Sequence, residues 1–289
     1  MATTATEPSV RRLCGTLGAE VEGVNLANVS DANVKWIVRT LAEHAVLVFR
    51  GQQLGAGEIA SLGRKMGAPK PHILLKYRVS GHPEVSMITN LDADGKVDPF
   101  GVNRAAVWHT DATYKEELPL LAMLHSLQVP SKKGGTMFCD MRAAYDTLPS
   151  DKKAKLDSLI AVHGTATGPL GYRRGKRGLD PSHAPGQSEA RHPAVRMHPI
   201  SGRRVLFVNP MHTMGFDGMP EDEATRLIEE LAAHSVKDEL AYYHQWKKGD
   251  VVMWDETSTM HKNAGDYDPS EPRVFMRTIV YPVAPHLEG

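Results

Sequence analysis

Apolar positions along the chain follow two rhythms, and each predicts a different kind of element. In the window 30–45, Val34, Ile37, Val38 and Leu41 fall on one helical face, and Ser30 stands where its hydroxyl can cap the first turn. A second helix is predicted over 57–66, with Ile59, Leu62 and Met66 turned inward and Gly67 ending it. Two more are expected: 150–162, lysine-faced with Leu156, Leu159 and Ile160 on its apolar side, and 220–233, opening with Pro220, Glu221, Asp222 and Glu223 as the helix dipole favours. The other rhythm is short and β-like. Strands are predicted at 18–24, 46–49, 85–89, 120–127, 204–208, 250–254 and 273–281. Many short strands interrupted by a few helices, with no alternating β-α units and no repeat of fixed period, favour a double-sheet β core flanked by helices over a doubly wound or (β/α) barrel fold.

The stretch 168–193 breaks both rhythms. It is rich in Gly, Pro and Arg, includes the basic run Arg173 to Arg177, and reads as a long loop or lid at about 167–193. Residues 1–12 read as a disordered tail, which leaves 13–283 as a single domain.

Composition narrows the partners. The chain has 289 residues, enough for a sizeable core, and its 34 basic residues balance 34 acidic ones. Nothing in that balance calls for nucleic acid or an anionic membrane, so a small molecule is the expected partner, with homo-oligomerisation left open. Two cysteines, Cys14 and Cys139, are too few for a disulfide scaffold or a thiolate metal site. With no long apolar run in the sequence, the expected setting is the cytoplasm.

The candidate chemistry starts at Trp108-His109-Thr110-Asp111, where an imidazole and a carboxylate two residues apart in a β-prone segment would share a face. Such a pair supplies two members of a facial site of two histidines and one carboxylate, which suits Fe(II) because it leaves open positions on the metal. By itself the spacing is weak. With 14 histidines, His-x-Asp/Glu is expected roughly 1.6 times by chance and occurs three times, at His82, His109 and His286. Only the His109 copy lies in a plausible interior strand, since Pro83 follows His82 and His286 lies almost at the chain end. A third ligand is available at His261, which a short polar loop joins to the strand 250–254. The last strand then places Arg273, Phe275, Arg277 and Ile279 on one face. Guanidinium groups on an apolar strand face are costly without an anion, and they bind carboxylates as a bidentate fork.

Taken together these residues resemble the Fe(II)/2-oxoglutarate-dependent oxygenases typified by taurine dioxygenase and the chlorophenoxyalkanoate dioxygenases. Trp-His-x-Asp, then Trp254-Asp255 with His261 six residues after that Asp, then two arginines four apart, match in order and spacing. So do residues 18–24, Gly135-Thr136 and the segment 143–148, so that the likeness runs from about residue 15 to 282. The chain departs from the pattern in three places. Lys133-Gly134-Gly135-Thr136 stands where the family often has Gly-Gly-Asp-Thr, Glu256 follows Trp254-Asp255 where it often has Asn, and both arginines lie one residue further from His261 than in taurine dioxygenase.

The resemblance implies a double-stranded β-helix, or jelly roll, with helices packed outside. It implies that His109, Asp111 and His261 hold Fe(II), that Arg277 pairs with the distal carboxylate of 2-oxoglutarate, and that the hydroxyl of Thr136 assists Arg277. It places Arg273 near an anionic group of the substrate and His72 at another substrate-contacting position. From its place just past a strand end, His212 is a further candidate for the pocket, and Trp108 and Trp254 are expected to pack beside the site. The implied reaction consumes O2 and 2-oxoglutarate, releases succinate and CO2, and hydroxylates a small, anionic organic substrate, cleaving it where the hydroxylated carbon bears a heteroatom. Two alternatives use the same ligands: a non-catalytic barrel binding a metal or an anion, and a metal-assisted hydrolase.

Overall fold

The computed structural model describes residues 7–72, 74–165 and 188–283. Its largest sheet has nine strands. Eight of them run in the order Ser9–Arg12, Ala19–Glu22, Val46–Phe49, Val251–Asp255, Leu121–Gln128, Val274–Tyr281, His82–Thr89 and Arg78–Val79, and Ala68–Pro69 adds to the Val274–Tyr281 strand. Pairing is antiparallel throughout, except that Ala19–Glu22 runs parallel to Val46–Phe49. A smaller antiparallel sheet sets Thr136–Asp140 between Ala241–His244 and Thr259–Asn263. The architecture is the jelly roll: mainly β, with helices packed outside.

The central strands read as unbroken apolar runs because both of their faces are buried. Along Val46–Phe49, Leu121–Gln128 and Val251–Asp255, the residues Leu47, Phe49, Leu121, Met123, Val251 and Met253 point outward to meet Ile37, Leu41, Ile59 and Leu62 of two helices. Their alternates Val46, Val48, Ala122, Leu124, Val252 and Trp254 point inward, where they pack with Phe138, Trp246 and Phe275. At about 1.5–3 kcal/mol for each large side chain taken out of water, this two-sided burial sets the register that the site depends on. The two covering helices are Asp31–His44, whose N-cap Ser30 accepts from the Asn33 N–H, and Ala56–Met66, which ends at Gly67. The helix Glu221–Ser235 lays Leu227, Ile228 and Leu231 over Ala161 and Phe216 in a separate cluster.

Four expectations from the sequence change. Residues 9–12 are not part of a disordered tail: Ser9–Arg12 pairs with Ala19–Glu22, and Arg11 and Arg12 ion-pair with Glu20 and Glu43. All four of its side chains are exposed, so the strand has no apolar signature to read. The predicted helix 150–162 stops at Leu156, and Ile160–Gly164 turns into a strand between Glu189–Pro193 and Thr213–Phe216, because ladder partners on both sides outweigh the local helical pattern. By the same pairing Glu189–Pro193 is strand rather than loop. The remainder of that loop or lid, with the run Arg173 to Arg177, lies outside the described residues. Finally, His109 makes an isolated bridge rather than a strand, and a turn follows. Among the described residues no helix is long and apolar enough to cross a membrane.

Candidate metal centre and its cavity

Two of the three proposed ligands are backbone partners. The His109 N–H donates to the His261 carbonyl at 3.1 Å and the His261 N–H to the His109 carbonyl at 2.8 Å, which brings their rings to 4.3 Å between centroids. The neighbouring Thr110 hydroxyl donates to the Thr259 carbonyl at 2.7 Å and ties the segment to the Thr259–Asn263 strand. Just beyond, Ala112 takes a left-handed conformation (φ 56°), so the chain turns immediately after Asp111. Asp111 still reaches the histidines: one ligand atom from each of His109, Asp111 and His261 lies within 4.8 Å of the other two.

The protonation states of this cluster suit a cation. Nδ1 of His109 lies 2.8 Å from the Val107 carbonyl and so carries the proton, leaving the Nε2 lone pair on the side of Asp111, 3.6 Å from Oδ1. Burial pushes His261 down to about 3, helped by His109, and the ring stays neutral. Its Nδ1 is buried without a hydrogen-bond partner among the described residues. Burial would raise the Asp111 carboxyl, but the Arg277 guanidinium, foremost among its polar neighbours, holds it well below the usual carboxylate range. Two imidazoles, an ionised carboxylate and a buried nitrogen with no partner among the described residues form a donor set that fits Fe(II).

Glu256, the departure from the family's Asn, sits directly behind Asp111. Its Oε2 accepts from the Asp111 N–H at 3.0 Å and its Oε1 from the Trp254 indole at 2.7 Å. Burial first, and then the Asp111 carboxylate, raise its carboxyl well above the ordinary range, so a neutral acid occupies the place of a neutral amide. Asp255 has no role in the site itself. It accepts from the Thr257 N–H and hydroxyl and meets His198 Nε2 at 2.6 Å, shaping the turn that leads to His261.

One cavity is lined by His109, His261, Thr136, Arg104, Arg273 and Arg277, with Leu124, Trp254, Asn90 and Tyr267 among the other walls. Here the pairing expected from the sequence changes. Thr136 joins Arg273 rather than Arg277: the Arg273 Nη2 donates to its hydroxyl oxygen at 3.3 Å, and the Trp246 indole donates to the same oxygen at 3.0 Å. With both lone pairs taken, that hydroxyl has only its hydrogen left to give, and no acceptor for it is found among the described residues. Arg273 is 7% exposed, its Nε donates to the Gly134 carbonyl at 2.9 Å, and its guanidinium lies 4.5 Å from the Phe275 ring centre. No carboxylate is within ion-pair range of it among the described residues, and burial lowers it to about 10. Arg277 instead reaches across to Asp111 Oδ2 at 3.3 Å. The ladder to the Leu121–Gln128 strand shifts register opposite Val274 and Phe275, with Leu127 as the extra residue.

The remaining candidates divide. The His212 ring lies 6.5 Å from that of His109 and 5.0 Å from that of Tyr114, so it adjoins the centre. His72 is near too, but its Nε2 is 3.0 Å from the Arg104 Nη2, whose hydrogens leave it only the role of acceptor. Arg104 itself was not singled out from the sequence. Its one available signal is position, as the lone charged side chain in the five residues before His109.

Comparison with known proteins agrees with this geometry. The family described as "Taurine catabolism dioxygenase TauD, TfdA family" matches residues 9–279. The chain is similar to an alpha-ketoglutarate-dependent 2,4-dichlorophenoxyacetate dioxygenase of Cupriavidus pinatubonensis, 33% identical over 274 residues that cover 90% of this chain and 92% of the relative. It is also similar to an alpha-ketoglutarate-dependent sulfate ester dioxygenase of Pseudomonas putida, 30% identical over 283 residues that cover 94% and 89%. Among solved structures, AAD-2 in complex with Mn(II) and N-oxalylglycine superposes with a TM-score of 0.82 at 26% identity, covering 96% of this chain and 99% of that one.

Proposed function

This chain belongs to the taurine catabolism dioxygenase TauD, TfdA family and is a 2-oxoglutarate-dependent dioxygenase; from that premise we propose that His109, Asp111 and His261 hold its Fe(II), that Arg273 with Thr136 receives the distal carboxylate of 2-oxoglutarate, and that Arg277 serves the primary substrate. The oxygenase unit in this reading runs from Ser9, four residues before the expected start at 13, to 283, since strands from both ends of that span lie in the same sheet.

The observation that carries the assignment is the hydroxyl of Thr136. Its oxygen accepts twice and, among the described residues, its hydrogen has no acceptor and the buried guanidinium beside it has no carboxylate in ion-pair range. A bound carboxylate satisfies both groups at once, by a bidentate contact to Arg273 and an O–H donation from Thr136.

When bound, iron and 2-oxoglutarate supply the oxidising chemistry that turns O2 into a C–H hydroxylation with release of succinate and CO2. The protein's own residues hold and orient. The Val107 carbonyl fixes the tautomer of His109, Glu256 and Thr110 fix the backbone around Asp111, and Trp254 and Leu124 form apolar walls that limit water. The relatives act on small molecules, and their names specify a chlorophenoxyacetate and sulfate esters. A small anion held at Arg277, near His72 and Arg104, is the substrate that this arrangement supports.

Oxygen consumption that requires both Fe(II) and 2-oxoglutarate tests the reading, together with His261→Ala. That variant is expected to keep its fold by circular dichroism, to lose tight Fe(II) binding and to lose turnover beyond detection. Turnover at a wild-type rate in His261→Ala would overturn the ligand assignment.

A further inference from the structure

Resting on the reading above, we propose that the primary substrate presents two negative charges at one end and that Arg104 and Arg277 receive them together.

Arg104 is a built part of the cavity. The helix Pro99–Asn103 that precedes it is pressed onto the neighbouring strand, where a Cβ on Gly101 would lie 2.3 Å from the Thr89 carbonyl oxygen. The next residue, Ala105, adopts φ 58°, and its carbonyl accepts from the Asn263 N–H at 2.8 Å, two residues from the ligand His261. The guanidinium itself stacks 4.7 Å from the Tyr77 ring centre and donates to His72 Nε2. Helix packing, a backbone bond, a ring and an imidazole thus all fix the position of one cation.

No carboxylate among the described residues lies within ion-pair distance of that cation; Asp98 and Asp111 act on it only from further off. Among the described residues Arg104 has no ion pair, and its hydrogen-bond partner is a histidine that burial, then Arg277 and Arg104, push down to about 4, so His72 is neutral and adds no negative charge. Arg277 has one ion-pair partner, Asp111, which the proposed function commits to iron. Glu256 lies nearby, but its two carboxyl oxygens are already engaged by the Asp111 N–H and the Trp254 indole. Three guanidinium groups therefore line one cavity, and the distal carboxylate of 2-oxoglutarate accounts for Arg273 alone. Arg104 and Arg277 repel each other, each lowering the proton affinity of the groups between them, and burial already lowers Arg104 to about 10. Holding two like charges together in a partly dry cavity is costly, and a ligand that brings one negative charge leaves half of that cost in place. A dianionic head removes it. Phosphate monoesters and phosphonates, or two carboxylates on one carbon, have this chemistry.

The test compares matched pairs on the protein loaded anaerobically with Fe(II) and 2-oxoglutarate at pH 8: butyl phosphate against butyl sulfate, and butylmalonate against hexanoate, each by calorimetry. At least one dianion is expected to bind roughly tenfold or more tightly than its monoanionic partner. Which pair shows the preference tells a phosphoryl head from a dicarboxylate. Arg104→Met should weaken the preferred dianion about tenfold and its monoanion less than threefold. The proposal is overturned if neither dianion exceeds its partner, if neither binds at millimolar concentration, or if Arg104→Met mainly raises the 2-oxoglutarate requirement. Should Arg104→Met fail to fold, the wild-type pairs alone decide. A wild-type protein that releases no succinate from 2-oxoglutarate would instead sink the proposed function, a result distinct from any of these.

Discussion

Arg273 and Arg277 arise four residues apart, one just before the final strand and one within it, yet they are held in opposite ways. Arg273 is buried, bonded to the Gly134 carbonyl and to Thr136, and stacked on Phe275. Arg277 keeps 16% of its side chain exposed, and its one ion pair among the described residues is to a proposed metal ligand. Around Arg273 the protein supplies neutral partners that position the guanidinium and leave its charge unanswered. Around Arg277 it adds another cation, Arg104, and a neutral imidazole. The first arrangement is preorganised for one carboxylate. The second stays electrostatically incomplete until a ligand arrives, as expected where relatives sharing one co-substrate are named for different substrates.

The sharpest way to break this comparison is to neutralise each arginine in turn. Arg273→Met should raise the KM for 2-oxoglutarate by roughly ten- to a hundredfold, the value of a charge-assisted contact of about 1.5–3 kcal/mol. Arg277→Met should spare the uncoupled consumption of 2-oxoglutarate and raise the KM for primary substrate by a similar factor. Steady-state kinetics in both co-substrates reads the split, and the reverse pattern would restore the pairing expected from the sequence.

A smaller effect is expected at Thr136, where Thr136→Val removes the one O–H aimed at the co-substrate. The KM for 2-oxoglutarate should rise roughly two- to tenfold, for a neutral hydrogen bond of about 0.5–1.5 kcal/mol. Because the Trp246 and Arg273 donors lose their acceptor, Tm should fall as well, and Thr136→Ser should recover both. A Thr136→Val protein with unchanged 2-oxoglutarate kinetics would place the carboxylate elsewhere.

The smallest effect concerns acid stability at the incomplete end. His72 is pushed down to about 4 from an unfolded value near 6.5, so below 6.5 the unfolded chain takes up the proton first. Its stabilising contribution is therefore full above pH 6.5 and is lost as the pH falls toward 4. Thermal melts of the metal-free protein should show a shallower fall in Tm over that window for His72→Gln than for wild type. Most of the acid loss should remain in the variant, since His163 and His261, both pushed down to about 3 chiefly by burial, respond in the same sense. An identical acid slope in both proteins would mean that His72 is not held neutral.

The central β strands and the two covering helices were legible because burial on two faces writes itself into local composition, and Ser30 and Gly67 mark the ends of those helices. The strands Ser9–Arg12 and Glu189–Pro193 were not, since what holds them is a backbone ladder to a neighbour, and ladders leave no trace in side-chain pattern when outward faces are polar. The helix predicted over 150–162 failed for a related reason: pairing on both edges of Ile160–Gly164 outweighs a local preference worth a few tenths of a kcal/mol per residue.

In the site, the sequence by itself determined which groups are present. His109, Asp111 and His261, Thr136 and two arginines four apart are matters of residue type and spacing, and alternation along the strand correctly put Arg277 on the face of Phe275 and Ile279. Only the tertiary structure decided which groups meet. The Thr136–Asp140 strand carries its hydroxyl to Arg273, and a turn after a short helix delivers Arg104 to His72, 32 residues away. The physical reason is one of range. Periodicity and capping report interactions within a few residues, whereas the pairing of a guanidinium with a hydroxyl or an imidazole is set by strand register and loop packing between distant segments.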